Sequence, residues 1–235
     1  MCGRFVQKTP LGAIQVLFET VNPVPNAPAR YNAAPTDTLA VVRYNPKTSR
    51  RSLDLLRWGW CRSGPRTRPS VRNASTRSET VATNKIFREA FERRRCLVPA
   101  DAFYEWRKIG GGKPVPYAVA PRQGMFAFAG LWERWRNPAD GSILRSFTIV
   151  TGPANSLCRP IHERMPVILP PQAWPLWLGE TETMPDQLLA LLQGCPEEWL
   201  RVYPVGPAVG NVRHDEPGLL DPAGADLRAG DLLPV

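Results

Sequence analysis

The chemistry that this sequence can do begins at its second residue. The chain opens Met1-Cys2-Gly3-Arg4-Phe5, and removal of Met1 would leave a cysteine at the free N-terminus. Such a residue is a 1,2-aminothiol, with a thiol held close to a primary amine. The reference pKa of an α-amine is about 8, against ~10.4 for lysine, so an appreciable fraction is nucleophilic at neutral pH. Cys2 is therefore the first candidate for a reaction centre.

Two reactions suit an N-terminal cysteine. With an aldehyde, the amine forms an imine and the thiol then closes on the same carbon to give a thiazolidine, a step that proximity favours. With an amide, the thiol attacks alone and the amine serves as its base. Both place the reaction at Cys2, whereas a third interpretation makes it merely the second codon of the gene.

Other polar residues interrupt apolar strand patterns, where a charge is costly unless it is paired or used. Glu105 is flanked by aromatic residues, which would raise its pKa towards the range of a general acid or base; simple alternation would instead turn it to solvent. His162 is a candidate for proton transfer, although a lone histidine is more often structural. The polar tract 72–80 offers amide, hydroxyl and guanidinium groups together, or forms a solvated turn.

The chain is basic, with 30 Lys and Arg against 21 Asp and Glu, and all but five of these cations are arginine. Arginine suits phosphate because its planar fork matches the oxygens, although a GC-rich genome enriches arginine as well. In segment 50–72, seven arginines face only Asp54, and Trp58 and Trp60 are interleaved among them. This mixture is typical of proteins that bind single-stranded nucleic acid.

The five cysteines are widely separated, no C-x-x-C occurs, and there are two histidines, so no metal-site spacing is present. We therefore expect no metal and no cofactor. The odd number of cysteines and the lack of a signal-peptide pattern favour free thiols in a reducing compartment, either the cytoplasm or another intracellular space. No segment approaches the roughly 18 apolar residues of a membrane span, so we expect no membrane partner.

Apolar alternation dominates the middle of the chain, and 235 residues suffice for one domain with a sizeable core. We predict one α+β domain over residues 1–235: a β-rich, barrel-like antiparallel core with short flanking helices and a loop-like tail from about 217. The predicted helices cover the segment after Thr9-Pro10, 84–95, 172–178 and 185–193. The predicted strands cover 39–42, 53–56, 96–98, 102–106, 117–119, 126–135, 147–150 and 200–205, and 62–72 is a predicted surface loop.

Short motifs spread over almost the whole chain are far more specific as a set than any one of them. They are 1–5, 30–36, 58–60, 77–80, 94 with 101–106, 130–132, 148–151, 162–166 and 209–213. In this order they resemble the SOS-response-associated peptidase (SRAP) family, whose members process abasic sites and crosslink to them in single-stranded DNA.

The resemblance implies a reaction and a set of roles. Cys2, freed of Met1 by a peptidase-like self-cleavage, would capture the ring-opened sugar aldehyde as a thiazolidine. Glu105 would assist proton transfer during imine formation and ring opening, a lyase-type chemistry. His162 would be a second acid or base near the sugar or its 3′ phosphate.

The resemblance also implies how DNA is held. Arg4 and Arg77 would contact backbone phosphates, and the aromatic segment around Trp58 and Trp60 would support the displaced strand. The expected partner is single-stranded DNA that contains abasic sites, including junctions of single- and double-stranded DNA, bound by a monomer that is associated with the bacterial nucleoid.

One position departs from the family pattern. The family usually has an asparagine two residues before the arginine of R-x-E-T, where it orients Cys2. Here that position is Ser75, and the nearest asparagine is Asn73. Either a local insertion lets Asn73 reach the site or Ser75 replaces it; we favour Asn73, on a tract that loops before Arg77.

Two rival functions remain open. Class II glutamine amidotransferase domains also begin Met-Cys-Gly, so the chain could be an N-terminal-nucleophile amidohydrolase that uses Cys2. A passive single-strand-binding module with an incidental Cys2 is a third possibility. A covalent adduct with abasic DNA on a denaturing gel distinguishes the first function from both.

Overall fold

Strands dominate the computed structural model of the protein, which describes residues 2–61, 73–228 and 230–231. The strands are β1 (Phe5–Gln7), β2 (Arg30–Ala33), β3 (Thr38–Asn45), β4 (Arg50–Trp58), β5 (Ser75–Arg77), β6 (Arg95–Ala100), β7 (Ala102–Arg107), β8 (Val115–Pro121), β9 (Phe126–Arg136), β10 (Ile143–Pro153), β11 (Arg164–Pro166) and β12 (Leu200–Pro204). The α-helices are α1 (Leu11–Leu17), α2 (Arg88–Arg93), α3 (Trp174–Leu178) and α4 (Pro185–Ala190), and short 3-10 turns cover Pro171–Ala173, Glu197–Trp199, Pro207–Gly210 and Pro217–Leu220.

Five strands close into a barrel in the order β10-β4-β3-β6-β9, because β9 also pairs with β10. Closure leaves no exposed strand edge around the ring. β10 extends beyond the ring and there pairs with two short strands, β5 in parallel and β11 in antiparallel orientation. The polar tract around residue 75 is therefore positioned by its pairing with β10.

A second, antiparallel sheet has the order β12-β8-β7-β1-β2. Its strand β1 is an inner strand: Phe5 pairs with Phe103 of β7 on one side and with Ala33 of β2 on the other. The residues just before Phe5 are therefore tied into the sheet. Among the described residues, no helix is long and apolar enough to span a membrane.

The core strands are apolar on both faces, and alternate residues enter different hydrophobic clusters. Leu39 and Val41 of β3 pack in the cluster that contains Cys2, whereas Ala40 and Val42 pack in a second cluster under α1 to α4. Strands that are covered on both faces have continuous apolar sequences. The strands could therefore be predicted, but not which side chains point into which cluster.

The predicted fold is confirmed: a single compact domain with a β-rich barrel and short helices. Parallel pairing of β10 with β4 and β5 adds to the antiparallel core that the sequence predicts. The helix predicted over 84–95 is wrong in extent, because residues 78–87 form turns, with Asn84 Oδ1 accepting a hydrogen bond from Ile86 N, and α2 covers only Arg88–Arg93. The predicted loop 62–72 lies outside the described residues.

Gly130 of β9 allows the close approach of β6 within the barrel. It pairs with Cys96, and a Cβ at this position would lie 2.8 Å from Cys96 Sγ and 3.0 Å from Val98 Cγ2. We expect Gly130→Ala to lower the free energy of unfolding by about 1–3 kcal/mol, the usual cost of overpacking a core. Urea unfolding measures it.

The matched control is Gly12→Ala in α1, where an added Cβ meets no atom within 4 Å. We expect this change to stabilise the protein by about 0.5–1 kcal/mol, because glycine is disfavoured inside a helix. Equal stability of Gly130→Ala and wild type would contradict the packing of β6 on β9.

Candidate active site around Cys2

Cys2 lies at the bottom of a cavity, with only 1% of its surface exposed. Its thiol is directed at the carbonyl oxygen of Arg4, 3.7 Å away. Burial raises the pKa of the Cys2 thiol well above its usual range, and the negative charge of Glu105 raises it further. At neutral pH the sulfur is therefore a thiol rather than a thiolate.

Glu105 faces the same cluster as Cys2. Tyr104 N donates to Arg4 O at 3.1 Å, and continuing the β1–β7 register places Glu105 opposite Gly3. Because side chains alternate along a strand, Glu105 shares the face of Phe103, which packs in the Cys2 cluster. Its exposure is 6%, so the solvent-facing alternative is wrong, and burial raises its pKa to about 7.

His162 ends a turn that packs beside these residues. Cys158 and Ile161 of this turn lie in the Cys2 cluster, and Arg107, two residues after Glu105, donates to Pro160 O at 3.2 Å. Burial lowers the pKa of His162, so the imidazole is neutral at pH 7.

The tautomer of His162 follows from its backbone contacts. The N–H of Arg164 points at Nδ1 from 3.0 Å, and the Arg164 carbonyl oxygen lies 3.2 Å from the same nitrogen. Because the direction of a backbone N–H is fixed, we assign Nδ1 as the acceptor, which leaves the ring proton on Nε2. His162 thus offers an N–H donor at the end of the ring away from its own backbone.

The cavity above Cys2 has a volume of about 470 Å³. Asn73, Ser75 and Arg77 all belong to its wall, as the polar tract and the R-x-E-T motif predict. Sequence reasoning missed two other wall residues, Asn84 and Phe87, and only their nearness to R-x-E-T could have indicated them. The described lining residues are Cys2, Gly3, Asn73, Ala74, Ser75, Thr76, Arg77, Thr80, Asn84 and Phe87.

Within the described residues 73–77, the tract before Arg77 does not contain the loop that we expected. Ser75, Thr76 and Arg77 pair in regular parallel register with Ile149, Val150 and Thr151 of β10. The irregularity lies one step earlier, at Asn73, whose φ of 89° is in the left-handed region. Asn73 and Ser75 both line the cavity, so which of them orients Cys2 stays a prediction.

The two arginines of the predicted phosphate site differ. Arg77 is exposed at the rim of the cavity. Arg4 Nη1 donates to Asn32 Oδ1 and to Val209 O, both at 2.9 Å, and Nη2 lies 3.4 Å from Gly210 O. Arg4 therefore braces the motif at 209–213 against β2.

The prediction that Trp58 and Trp60 form an exposed stacking surface is wrong, because their exposures are 0% and 2%. Trp58 packs edge-on against Phe5 with ring centroids 4.8 Å apart, and Trp60 lies 5.0 Å from the ring of Phe87. Both large rings enter the hydrophobic core, which is the more favourable place for them. Neither can stack on a base in this conformation.

Sequence reasoning also missed a link between two motifs. Arg164 of the 162–166 motif makes two hydrogen bonds, of 2.7 and 2.8 Å, with the carboxylate of Glu79 in R-x-E-T, and a third to Thr151 O at 2.6 Å. Hydrogen bonding to Arg164 lowers the pKa of Glu79 to about 2. The opposite charges of the two motifs were the only signal of this pair in the sequence.

Within the described part of the chain, no group of three or more His, Cys, Asp and Glu side chains could hold a metal ion. The polar groups that surround the cavity are the thiol, amide, hydroxyl and guanidinium groups named above.

A buried cysteine at the second position, a buried carboxylate facing the same cluster and an arginine at the rim of the cavity define a class of β-rich proteins with a candidate site near the N-terminus. The chain belongs to the SOS response associated peptidase (SRAP) family, whose family model matches residues 1–212.

Individual relatives agree with this assignment. The chain is 32% identical over 228 residues to the abasic site processing protein YoqW of Bacillus subtilis (strain 168), a match that covers 94% of this chain and 99% of that protein. It is 30% identical over 233 residues to the abasic site processing protein YedK of Escherichia coli (strain K12), covering 94% and 100%. An X-ray crystal structure of a protein from Bacteroides thetaiotaomicron, 19% identical, matches with a TM-score of 0.85 over 94% of this chain and all of that one, which supports the fold.

The Glu79–Arg164 pair predicts how stability depends on pH. The pKa of Glu79 is lowered from its ordinary value of 4.5 to about 2. The ion pair therefore contributes fully to the free energy of unfolding above pH 4.5, and this contribution is lost as the pH falls through about 2. We expect Glu79→Gln to cost about 1–2 kcal/mol at pH 7, allowing for the screening of a half-exposed carboxylate. Urea unfolding of both proteins between pH 2 and 7 measures the difference, which should shrink at low pH.

Glu89→Gln is the matched control. Its pair with Arg94, at 2.9 Å, is on the surface, and we expect no measurable change in unfolding. A Glu79→Gln difference that is the same at pH 2 and pH 7 would show that the ion pair does not stabilise the fold.

Proposed function

We propose that this protein captures abasic sites in single-stranded DNA by forming a covalent thiazolidine through Cys2 once Met1 is removed. Its family, and relatives named as abasic site processing proteins, support abasic-site processing as the activity. The observation that carries the covalent mechanism is the position of Cys2, buried at the base of an arginine-rimmed cavity with Glu105 facing the same cluster.

Capture begins with the amine of Cys2. Its nitrogen attacks the carbonyl carbon of the ring-opened sugar, and the resulting carbinolamine loses water to give an imine. The thiol sulfur then adds to the imine carbon while its proton passes to the nitrogen, which closes the thiazolidine. Glu105, with a pKa of about 7, accepts a proton from the Cys2 ammonium and returns it as water departs.

The protonation of Cys2 favours this order of steps over the rival amide chemistry. An amidohydrolase needs the sulfur as the first nucleophile, and the thiolate is the reactive form. Burial and the charge of Glu105 keep the sulfur protonated. An aldehyde, by contrast, can be attacked first by the amine and only afterwards by sulfur, when the reaction is intramolecular.

The remaining polar groups bind the sugar and its phosphates in this proposal. His162, neutral with its proton on Nε2, donates to the sugar or its 3′ phosphate, while Arg77 and the outer edge of Arg4 contact backbone phosphates. Asn73 orients the Cys2 amine, and Ser75 is the alternative. We further propose that the protein removes its own Met1, acts as a monomer in the cytoplasm, and prefers single strands and their junctions with duplex.

A denaturing gel with abasic single-stranded DNA tests the covalent link. We expect a stable adduct from protein that begins at Cys2, none from Cys2→Ala or from protein with an uncleaved N-terminal tag, and a weaker or labile product from Cys2→Ser. Cys158→Ala, which alters another buried cysteine of the same cluster, is the matched control and should crosslink normally. Normal crosslinking by the tagged protein would contradict the mechanism.

The pH dependence of capture tests Glu105. Because the carboxylate form accepts the proton, the rate should rise with pH through about 7, where Glu105 loses its proton, and then level off. Glu105→Gln should slow adduct formation by about tenfold or more and remove this inflection, with non-covalent DNA affinity near normal. His162→Ala should act mainly on steps after capture, including reversal. Rapid-quench kinetics from pH 5.5 to 8.5 measure the rate of adduct formation. A pH profile of Glu105→Gln that is the same as that of wild type would contradict the role of Glu105 as proton acceptor.

A further inference from the structure

Two side chains hold the part of the cavity wall that carries Asn73 by donating hydrogen bonds to its backbone carbonyls. Thr148 Oγ1 donates to Asn73 O at 3.0 Å, and the indole Nε1 of Trp58 donates to Ala74 O at 2.9 Å. The backbone N–H of Ile149 also reaches Ala74 O, at 3.1 Å. Two side-chain donors on different strands thus hold adjacent peptide units.

Trp58 is itself held in place by ring packing and by its backbone. Its ring is fully buried, packs edge-on against Phe5 and lies parallel to Phe147 with centroids 6.3 Å apart. Its backbone N–H donates to Asp37 O at 2.8 Å. Because Phe5 is only three residues after Cys2, the ring contacts β1 close to Cys2 while its indole N–H holds the cavity wall at Ala74.

The conformation that these donors hold is unfavourable without them. Asn73 has a φ of 89°, a region that non-glycine residues adopt at an energetic cost and that asparagine tolerates better than most. The same conformation lets Asn73 line the cavity with Cys2, although β5 begins in regular register only at Ser75. Holding the carbonyls of Asn73 and Ala74, one on each side of the Ala74 Cα, stabilises this backbone conformation.

We propose that Trp58 and Thr148 are positioning residues for the capture reaction, which hold the Asn73–Ala74 backbone so that the Asn73 amide faces Cys2. This proposal rests on the proposed function of the Cys2 site. In this proposal the indole N–H of Trp58 holds the protein backbone, whereas the sequence context predicts that Trp58 contacts DNA.

Two variants test the proposal, each by removing one of the two side-chain donors. Trp58→Phe keeps an aromatic ring and loses the indole N–H, and Thr148→Val loses only the hydroxyl. We expect each to slow adduct formation about 2- to 10-fold, the factor that corresponds to one neutral hydrogen bond. The matched control is Trp174→Phe, which removes an indole bond of 3.0 Å to Leu169 O in the other core cluster and should leave the rate unchanged.

A double-mutant cycle with Asn73→Gly separates positioning from general stability. Glycine tolerates the φ of residue 73 but lacks the amide, so Asn73→Gly should slow capture while Ser75→Ala changes it much less. In the Asn73→Gly background, Trp58→Phe and Thr148→Val should have no further effect on the rate. Full, additive effects in that background, or a larger effect of Ser75→Ala, would overturn the proposal.

A second measurement does not depend on crosslinking. Amide hydrogen exchange of residues 74–77 should become faster in Trp58→Phe and Thr148→Val, and stay as in wild type in Trp174→Phe. Unchanged exchange in both variants overturns the proposal even if wild type forms a normal adduct. If the wild-type protein forms no adduct, the proposed function is contradicted instead. Faster exchange in the two variants would in that case still show that Trp58 and Thr148 hold the Asn73–Ala74 backbone.

Discussion

The pairing of β1 on both of its edges is the constraint on which the site depends. An N-terminal residue normally has few contacts and frays, but Phe5 is bonded to β7 on one side and β2 on the other. The β7 register places Glu105 opposite Gly3, next to Cys2 in the chain, and the β2 side lets Arg4 reach Asn32 and Val209. Cys2 is therefore held like a residue of the core although it is second in the chain.

Burial then decides the chemical state of each group in the site. Removing water disfavours the charged form of an acid or a base, so the Cys2 thiol keeps its proton, His162 stays neutral, and Glu105 acquires a pKa of about 7. The carboxyl group of Glu105 is thereby able to exchange a proton near neutral pH. A reaction that consumes and returns protons in succession suits this combination better than one that needs a standing thiolate.

The sequence could predict those features that residue type or strand period determines. Cys2 and Glu105 were identified from their chemistry and surroundings, and the long strands from their apolar runs. The inward direction of Trp58 could not be predicted, because both faces of β4 are covered and only barrel closure selects between them. Nor could β5 be recognised: its three polar residues form a strand only because β10, more than 70 residues later in the chain, pairs with them.

The arginines show why net charge is a poor guide to the DNA surface. Several arginines are engaged in ion pairs within the fold and are not available to a polyanionic partner: Arg51 binds Glu180, Arg94 binds Glu133, and Arg164 binds Glu79. Guanidinium groups suit half-buried ion pairs for the same reason that they suit phosphate, and the pairs of Arg51 and Arg164 are bidentate. Arg77, on the same short strand as Ser75, instead reaches the rim above Cys2. The position in which β5 is held, rather than the total charge of +9, is therefore what places an exposed guanidinium group beside the Cys2 cavity.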